Sequence, residues 1–382
     1  TMSAITLNIV YTKLPQKESD LSFVPNLNVS VIWSQEEIDN ADIVIYFNGY
    51  SYNANMARKP RKARLLFITE PIVVHPPQYL RSFWKKFDAV LTWNPLLLKE
   101  SKHFYYVPII NYGYPFFNAH GITGQPFNRE QLVGRREAIC QICGAKNSLL
   151  SNELYSLRSK LASWFHKHSS IPFDSFGHPP MNVPNYRGTI ESKLKTFSQY
   201  RYALCTENSY DPRWTVGYVT EKIFDCFYAS TLPIYYGCYD IEKYIPADCF
   251  IDYRNFNSPE ELETFLKKLS EEDYLAYVDR IWKFMETHNP EERYHCNKLY
   301  EAALKATEEH TSNQEKNLNQ SKELPKDFLE SNKSTKDYFA FHISCIILAC
   351  PFIFKILVRL SLAFNKIVYS CKQATKQNEG QN

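Results

Sequence analysis

The residues of this chain that could do chemistry gather in one stretch, Ser198 to Gly237. Tyr202 to Thr206 is a short apolar run rich in aromatics, suited to a strand buried on both faces. Glu207, Asn208 and Ser209 follow at its end, and a loop carrying Pro212, Arg213 and Gly217 leads to Tyr218. Thr220 can cap the next helix, with Glu221 and Lys222 in its first turn. Leu232 to Tyr236 begins a second strand, closed by Gly237. Such a strand–helix–strand unit collects polar residues at the carboxyl edge of a sheet, where open α/β sheets take ligands. The positive end of the helix and the full charge of Lys222 together suit an anion. In most proteins a Glu-Lys pair at this place is only a solvated helix start; the triplet Glu207-Asn208-Ser209 upstream is what favours a site. A further carboxylate stands apart. Glu70 closes the run Leu65 to Thr69, and Pro71 follows at once, stopping the backbone ladder and holding the carboxylate at the strand's end. His75 and His103 are nearby in sequence, although a lone histidine in a loop is usually just solvated.

The elements that must position these residues form two α/β series. Ile5 to Val10, Val29 to Trp33, Ile43 to Phe47, Leu65 to Thr69 and Ala89 to Trp93 are short β-rich runs separated by polar or helical segments. Tyr79 to Phe87 carries an amphipathic helical pattern. Such alternation predicts a parallel sheet with covering helices. From about Asn111 to Arg135 glycines and prolines accumulate, which reads as the link between domains. The second series has strands at Ala138 to Cys143, Phe173 to Phe176 and Phe250 to Tyr253 around the central unit. Its helices are predicted at Leu149 to His168, Ile190 to Tyr200, Pro259 to Leu269, Tyr274 to Thr287 and Tyr294 to Thr307.

Size and composition agree. The 382 residues can hold two domains of ordinary size plus a tail. A net charge of only +3 argues against a nucleic-acid binder. The 27 Tyr and 25 Phe are common where carbohydrate is bound, but they also simply build cores. The start has no basic region followed by a long apolar run, so a signal peptide or amino-terminal anchor is not expected. The ten cysteines are scattered, several within predicted strands or helices (Cys205, Cys226, Cys238), and read as reduced buried thiols. Cys140 and Cys143 form a CxxC without a second pair at zinc-like spacing, so core residues are favoured over a metal site. On this reading the sequons at Asn28, Asn319 and Asn332 are without meaning.

The central block resembles the conserved core of the α-1,3/4-fucosyltransferases, glycosyltransferase family ten. Their signature is a strand ending in Glu-Asn-Ser or Glu-Asn-Thr, a loop, then Tyr-(Val/Ile)-Thr-Glu-Lys; here it reads Glu207-Asn208-Ser209 and Tyr218-Val219-Thr220-Glu221-Lys222. Weaker resemblance runs from about Phe67 to about Phe256. It implies a GT-B architecture, two Rossmann-like domains with a cleft between them. It also implies inverting transfer of L-fucose from GDP-β-L-fucose to a hydroxyl of an N-acetylglucosamine-type glycan. Lys222 is then assigned to the diphosphate and Glu221 to ribose or sugar hydroxyls, with Asn208 and Tyr218 beside them. Glu70 is the expected base, because the family carries Glu-Pro or Glu-Ser-Pro at the corresponding point. No metal is expected, since no Asp-x-Asp motif occurs and Lys222 with the helix start can balance a diphosphate.

One part departs from the family pattern. An Arg contacting the diphosphate is usual in the helix after the strand at Ala138 to Cys143, but Leu149, Leu150 and Ser151 fall there. Lys146 looks too early and Arg158 too late. The loop from Ser209 to Tyr218 is longer than the family's usual version, and its Arg213 could approach the diphosphate instead; a surface arginine is the plainer alternative. Two other functions stay open: a transferase of the same fold with another donor, and a membrane-peripheral nucleotide- or glycan-binding protein without turnover.

The expected organisation is an acceptor domain at 1–125, a donor domain at 126–307, a polar linker at 308–337 and a basic, apolar tail at 338–382. Tyr338 to Phe354 is nearly continuous apolar sequence, followed by Lys355, Arg359, Lys366, Lys372 and Lys376. This fits an interfacial helix on an anionic membrane surface, with a tilted span and a helix pair packed on the enzyme's own body as rivals. The expected location is the cytoplasm, peripheral on the inner face of the cell membrane, where the enzyme would decorate a surface glycan.

Overall fold

Runs of branched and aromatic residues flanked by polar turns make the strands, and being buried on both faces they need helices above and below. The computed structural model describes residues 4–10, 22–34, 37–49, 57–109, 129–315, 324–331 and 334–349. The chain divides into two units, Thr1–Ser331 and Asn332–Asn382.

The first unit holds two sheets. Strands β1 (Ile5–Val10), β2 (Ser22–Val24), β3 (Val29–Trp33), β4 (Ile43–Phe47), β5 (Ala63–Phe67), β6 (Ala89–Thr92) and β7 (Phe104–Tyr106) lie in the order β2-β3-β1-β4-β5-β6-β7. All pairs are parallel except β2 with β3. Every residue of β4 is buried. The second sheet contains β8 (Arg136–Ile142), β9 (Phe173–Phe176), β10 (Tyr200–Thr206), β11 (Leu232–Tyr236) and β12 (Ile251–Asp252), all parallel, in the order β12-β11-β10-β8-β9. The chain leaves β8 for β9 on one side and returns to β10 on the other, so a topological switch point lies between β8 and β10. Crevices at such points take ligands.

The helix expected at Ile190 to Tyr200 is confined to Lys193–Phe197, Tyr200 opening β10, and β5 ends at Phe67 rather than Thr69; three larger differences follow. The helix expected from Leu149 begins only at Tyr155. Leu150 and Leu154 are buried as the helical pattern requires, yet residues 152–154 bridge to the end of β10 instead. Leu154 N–H donates to Asn208 O (3.1 Å) and Tyr210 N–H to Asn152 O (3.0 Å). Secondly, the donor domain expected at 126–307 is not closed at its end. A helix spans Asn297–Glu315, and its Leu299, Tyr300, Ala303 and Ala306 join the core beneath the first sheet. Thirdly, the linker expected at 308–337 is partly regular structure, with that helix running to Glu315 and another at Phe328–Ser331. Most of the glycine-rich link expected around Asn111 to Arg135 lies outside the described residues.

The second unit contains the helix Thr335–Ala349 of 15 residues, about 22 Å long at ~1.5 Å per residue against a bilayer core of ~30 Å. Among the described residues no helix is long and apolar enough to cross a membrane. The basic residues from Lys355 onward lie outside the described residues.

Candidate active site

The chemistry-bearing residues converge where the topology puts the crevice. A pocket with a cavity volume of about 120 Å³ is lined by the end of β8, the end of β10 and the start of the helix Glu221–Tyr228. Its cations are Lys146, Arg158, Lys193 and Lys222.

Glu207 organises this end of the sheet. Its side chain is fully buried and accepts from Thr220 N–H (3.2 Å), Thr220 Oγ1 (2.7 Å) and Lys222 Nζ (2.9 Å). Thr220 caps the helix as its position predicts, its hydroxyl also taking Lys222 N–H at 3.4 Å. Gly237 makes room for the acid: a Cβ there would stand 2.3 Å from Glu207 Cγ. Sequence reasoning treated Glu207 only as part of a motif, although its place at the end of a wholly buried strand was a usable signal.

Burial alone would disfavour charge on Lys222, but Glu207 and Glu221 outweigh it and hold the ammonium above its ordinary value. Glu221, 3.8 Å from the ammonium, is raised by burial yet brought below the usual carboxylate range by Lys222 and Lys193. Lys193 is in turn paired to Asp225 at 2.6 Å.

The structure revises the search for the further cation. Arg158 is buried in the first turn of its helix once the true start at Tyr155 is known. Its guanidinium donates to Thr206 Oγ1 (2.7 Å), Thr206 O (2.9 Å), Glu207 O (2.8 Å) and Asn208 Oδ1 (3.3 Å). Lys146 lines the pocket as well. The bridge between residues 152–154 and the end of β10, which delays the helix start to Tyr155, is what brings Arg158 to this edge.

Arg213 does not line this pocket. Its guanidinium makes a two-pronged ion pair with Glu100 at 2.7 and 2.8 Å, on the helix Pro95–Glu100 of the first half. The structure thus places Arg213 away from the pocket cations with which it was grouped. A guanidinium already matched by a carboxylate in fork geometry has its strongest donors engaged. Tyr218 is buried with its ring 5.1 Å from that of Trp93, joining the two halves beside the pocket.

Glu70, in the first half, does not itself line this pocket but stands against Asn208, which does. The N–H of Glu70 donates to Asn48 Oδ1 (2.9 Å), and its carbonyl accepts from Gln78 Nε2 (2.8 Å) and Tyr79 Oη (2.9 Å). With its backbone so held, the carboxylate reaches toward Asn208, whose Nδ2 is 3.5 Å from Oε2. Burial raises the carboxyl above its ordinary value; Lys146 and Lys222 pull it down without cancelling that. Neither histidine competes. His75 and His103 are buried rather than solvated, and burial pushes His75 down to about 4. Cys140 and Cys143 are free thiols, Cys143 Sγ lying 3.2 Å from Met181 Sδ. Among the described residues no group of His, Cys, Asp and Glu is placed to hold a metal.

Two outcomes follow from these charges. Glu207→Gln leaves Lys222 without its buried counter-charge and should lower unfolding free energy by about 2–3 kcal/mol, after allowing for the partial exposure of Lys222. An unchanged urea midpoint would refute that role. Glu70 behaves oppositely. A raised carboxyl is stabilising only while protonated, so its ionisation costs stability at neutral pH. Glu70→Gln should thus melt at or slightly above the wild-type temperature at pH 7. The difference should fade as pH falls below the unfolded carboxyl value of 4.5. A clear loss of stability at pH 7 would contradict the assignment.

A family model described as glycosyltransferase family 10 (fucosyltransferase), C-terminal, matches residues 133–341, more than half of the chain. An α-(1,3)-fucosyltransferase FucT of Helicobacter pylori is 32% identical over 94 residues, 25% of this chain and 19% of that protein. The 4-galactosyl-N-acetylglucosaminide 3-α-L-fucosyltransferase 9 of Mus musculus is 34% identical over 129 residues, 31% of this chain and 35% of the relative. The chain thus matches about a fifth to a third of the length of these relatives. A crystal structure of an α1,3-fucosyltransferase superposes with a TM-score of 0.52 at 17% identity, covering 72% of this chain and 82% of the other. That likeness concerns the fold, two Rossmann-like halves in a GT-B arrangement. With the family match spanning every residue that lines the pocket, this chain belongs to glycosyltransferase family 10.

Proposed function

We propose that this chain transfers L-fucose from GDP-β-L-fucose to a hydroxyl of an N-acetylglucosamine-type glycan, with inversion and an α-1,3 or α-1,4 linkage. Fucose transfer is the activity carried in the names of the relatives, and the pocket has the charges such a reaction needs. One observation carries the reading. Asn208 stands between base and cation, its amide nitrogen 3.5 Å from Glu70 and its oxygen accepting from Arg158 at 3.3 Å.

On this reading Glu70 takes the proton of the acceptor hydroxyl as its oxygen attacks the anomeric carbon. The bond to the diphosphate breaks on the opposite face, and its electron pair leaves with GDP. Lys222, Arg158 and Lys146, with the helix start at Glu221, stabilise the departing charge. Glu221 orients ribose or sugar hydroxyls. These cations supply the charge balance, so a chelator should leave turnover unchanged.

Glu70→Gln keeps shape but cannot take a proton. Transfer should fall by ~10²–10⁴-fold while GDP affinity holds, because a base acts only in the transition state. Lys222→Ala should instead weaken GDP, by about 1.5–3 kcal/mol. Turnover of Glu70→Gln within a few-fold of wild type would unseat Glu70. Equal thermal stabilisation of the wild type by GDP and UDP would point to another donor. GDP binding without transfer to any acceptor would favour a binding protein.

The tail is proposed to rest on an anionic membrane surface. The helix Thr335–Ala349 exposes Phe339, Ile343 and Ile346, spaced to share one face, and basic sequence follows it. Sedimentation with vesicles should require anionic lipid and weaken with salt. Equal recovery without vesicles would refute the attachment.

A further inference from the structure

The loop between Ser209 and Tyr218 is braced from within. Asp211 Oδ1 accepts from the N–H groups of Arg213 (2.8 Å) and Trp214 (2.9 Å), and Asn152 Nδ2 donates to Asp211 Oδ2 (3.1 Å). A loop stiffened in this way can transmit position. It is also fastened to the first half of the unit. Besides the Arg213–Glu100 pair, Asn94 Nδ2 donates to Arg213 O (2.8 Å), and Arg213 Nη2 donates to Lys326 O (3.1 Å).

Trp214 completes the junction. It is 2% exposed, with the Arg213 guanidinium 4.9 Å from its ring and Phe328 at 6.2 Å. Its ring meets that of Tyr79 edge-on, 5.5 Å away at 84°. Tyr79 is the residue whose hydroxyl donates to Glu70 O at 2.9 Å. A packed path therefore runs from the Arg213–Glu100 pair through Trp214 and Tyr79 to the backbone of Glu70.

We propose that Arg213 and Trp214 are positioning residues for transfer: the loop of the donor half sets where the carboxylate of the acceptor half stands. The inference rests on the reading of Glu70 as the base. A two-pronged ion pair fixes direction as well as distance. Trp214 occupies the space into which Tyr79, and with it the Glu70 backbone, would otherwise relax. Neither side chain lines the cationic pocket, so their removal acts on the placement of the base and leaves the donor's anchors in place.

The test measures kcat, KM and GDP affinity, together with amide exchange over residues 68–75 without substrate. Wild type is compared with Arg213→Ala, Trp214→Ala, Trp214→Phe and the charge swap Arg213→Glu with Glu100→Arg. Both alanine variants should lose kcat by ~10–10²-fold, the usual cost of a displaced catalytic group, with GDP affinity kept. Exchange around Glu70 should quicken in both. Trp214→Phe should retain most of the rate, and the charge swap should recover most of the Arg213→Ala loss. Wild-type kcat and exchange in Arg213→Ala would overturn the inference, as would loss of GDP affinity in step with kcat. If Trp214→Ala does not fold, Arg213→Ala decides. If wild type itself transfers no fucose, the transferase reading fails and exchange still decides. Faster exchange in Arg213→Ala upholds the coupling, and unchanged exchange ends it.

Discussion

The cationic pocket of this molecule depends on one buried carboxylate. Glu207 has no access to water, and a charge so placed is tolerable only when paired and hydrogen-bonded. Thr220 and Lys222 meet that demand. In doing so they fix the first turn of the helix and aim the ammonium into the crevice. The other pocket cations follow the same rule: Lys193 is held by Asp225, and Arg158 by the oxygens at the end of β10. Lys222, Lys193 and Arg158 are thus oriented by the protein itself. That is how a site stabilises developing charge without reorganising during the reaction.

The surroundings of Glu70 are arranged on the opposite principle. Its backbone is tied down by Asn48, Gln78 and Tyr79, while among the described residues its carboxylate meets the amide of Asn208 at the limit of hydrogen bonding. Burial therefore wins over the nearby cations and leaves the group with more affinity for a proton than an ordinary glutamate. In the role of base proposed for it, Glu70 would gain from such a shift, since the power to take a proton grows as a group's own value approaches the working pH. Strong pairing on one side and near-isolation on the other give two glutamates of the same chain contrasting roles.

Much of this was legible in sequence, and the failures share a cause. Most strands were found almost to the residue because continuous apolar runs between turn signals leave little choice, and Thr220 announced its helix by type and position. Glu70 stands beyond the end of β5, which stops at Phe67, and is held there by Asn48, Gln78 and Tyr79 rather than by the proline after it. What failed depended on contacts between distant segments. Leu150 and Leu154 follow a helical period but obey it without a helix, since the backbone beside them pairs with Asn208 and Tyr210. For the same reason Arg158 looks too late along the chain when the helix is started at Leu149. The ion pair of Arg213 was hidden for a related reason: its partner, Glu100, lies in the other half of the chain, and no local pattern connects them.

The helix Asn297–Glu315 gives the boundary between the halves an unexpected character. It follows the second sheet in the chain but contributes Leu299, Tyr300, Ala303 and Ala306 to the core under the first. The stretch matched by the family model, 133–341, is therefore a unit of ancestry and not a unit of folding. Cut out alone, it would carry an apolar face with nothing to cover it. Recombining halves between relatives means exchanging this helix with the amino-terminal sheet it serves, so the modules that can be shuffled are interleaved along the chain rather than laid end to end.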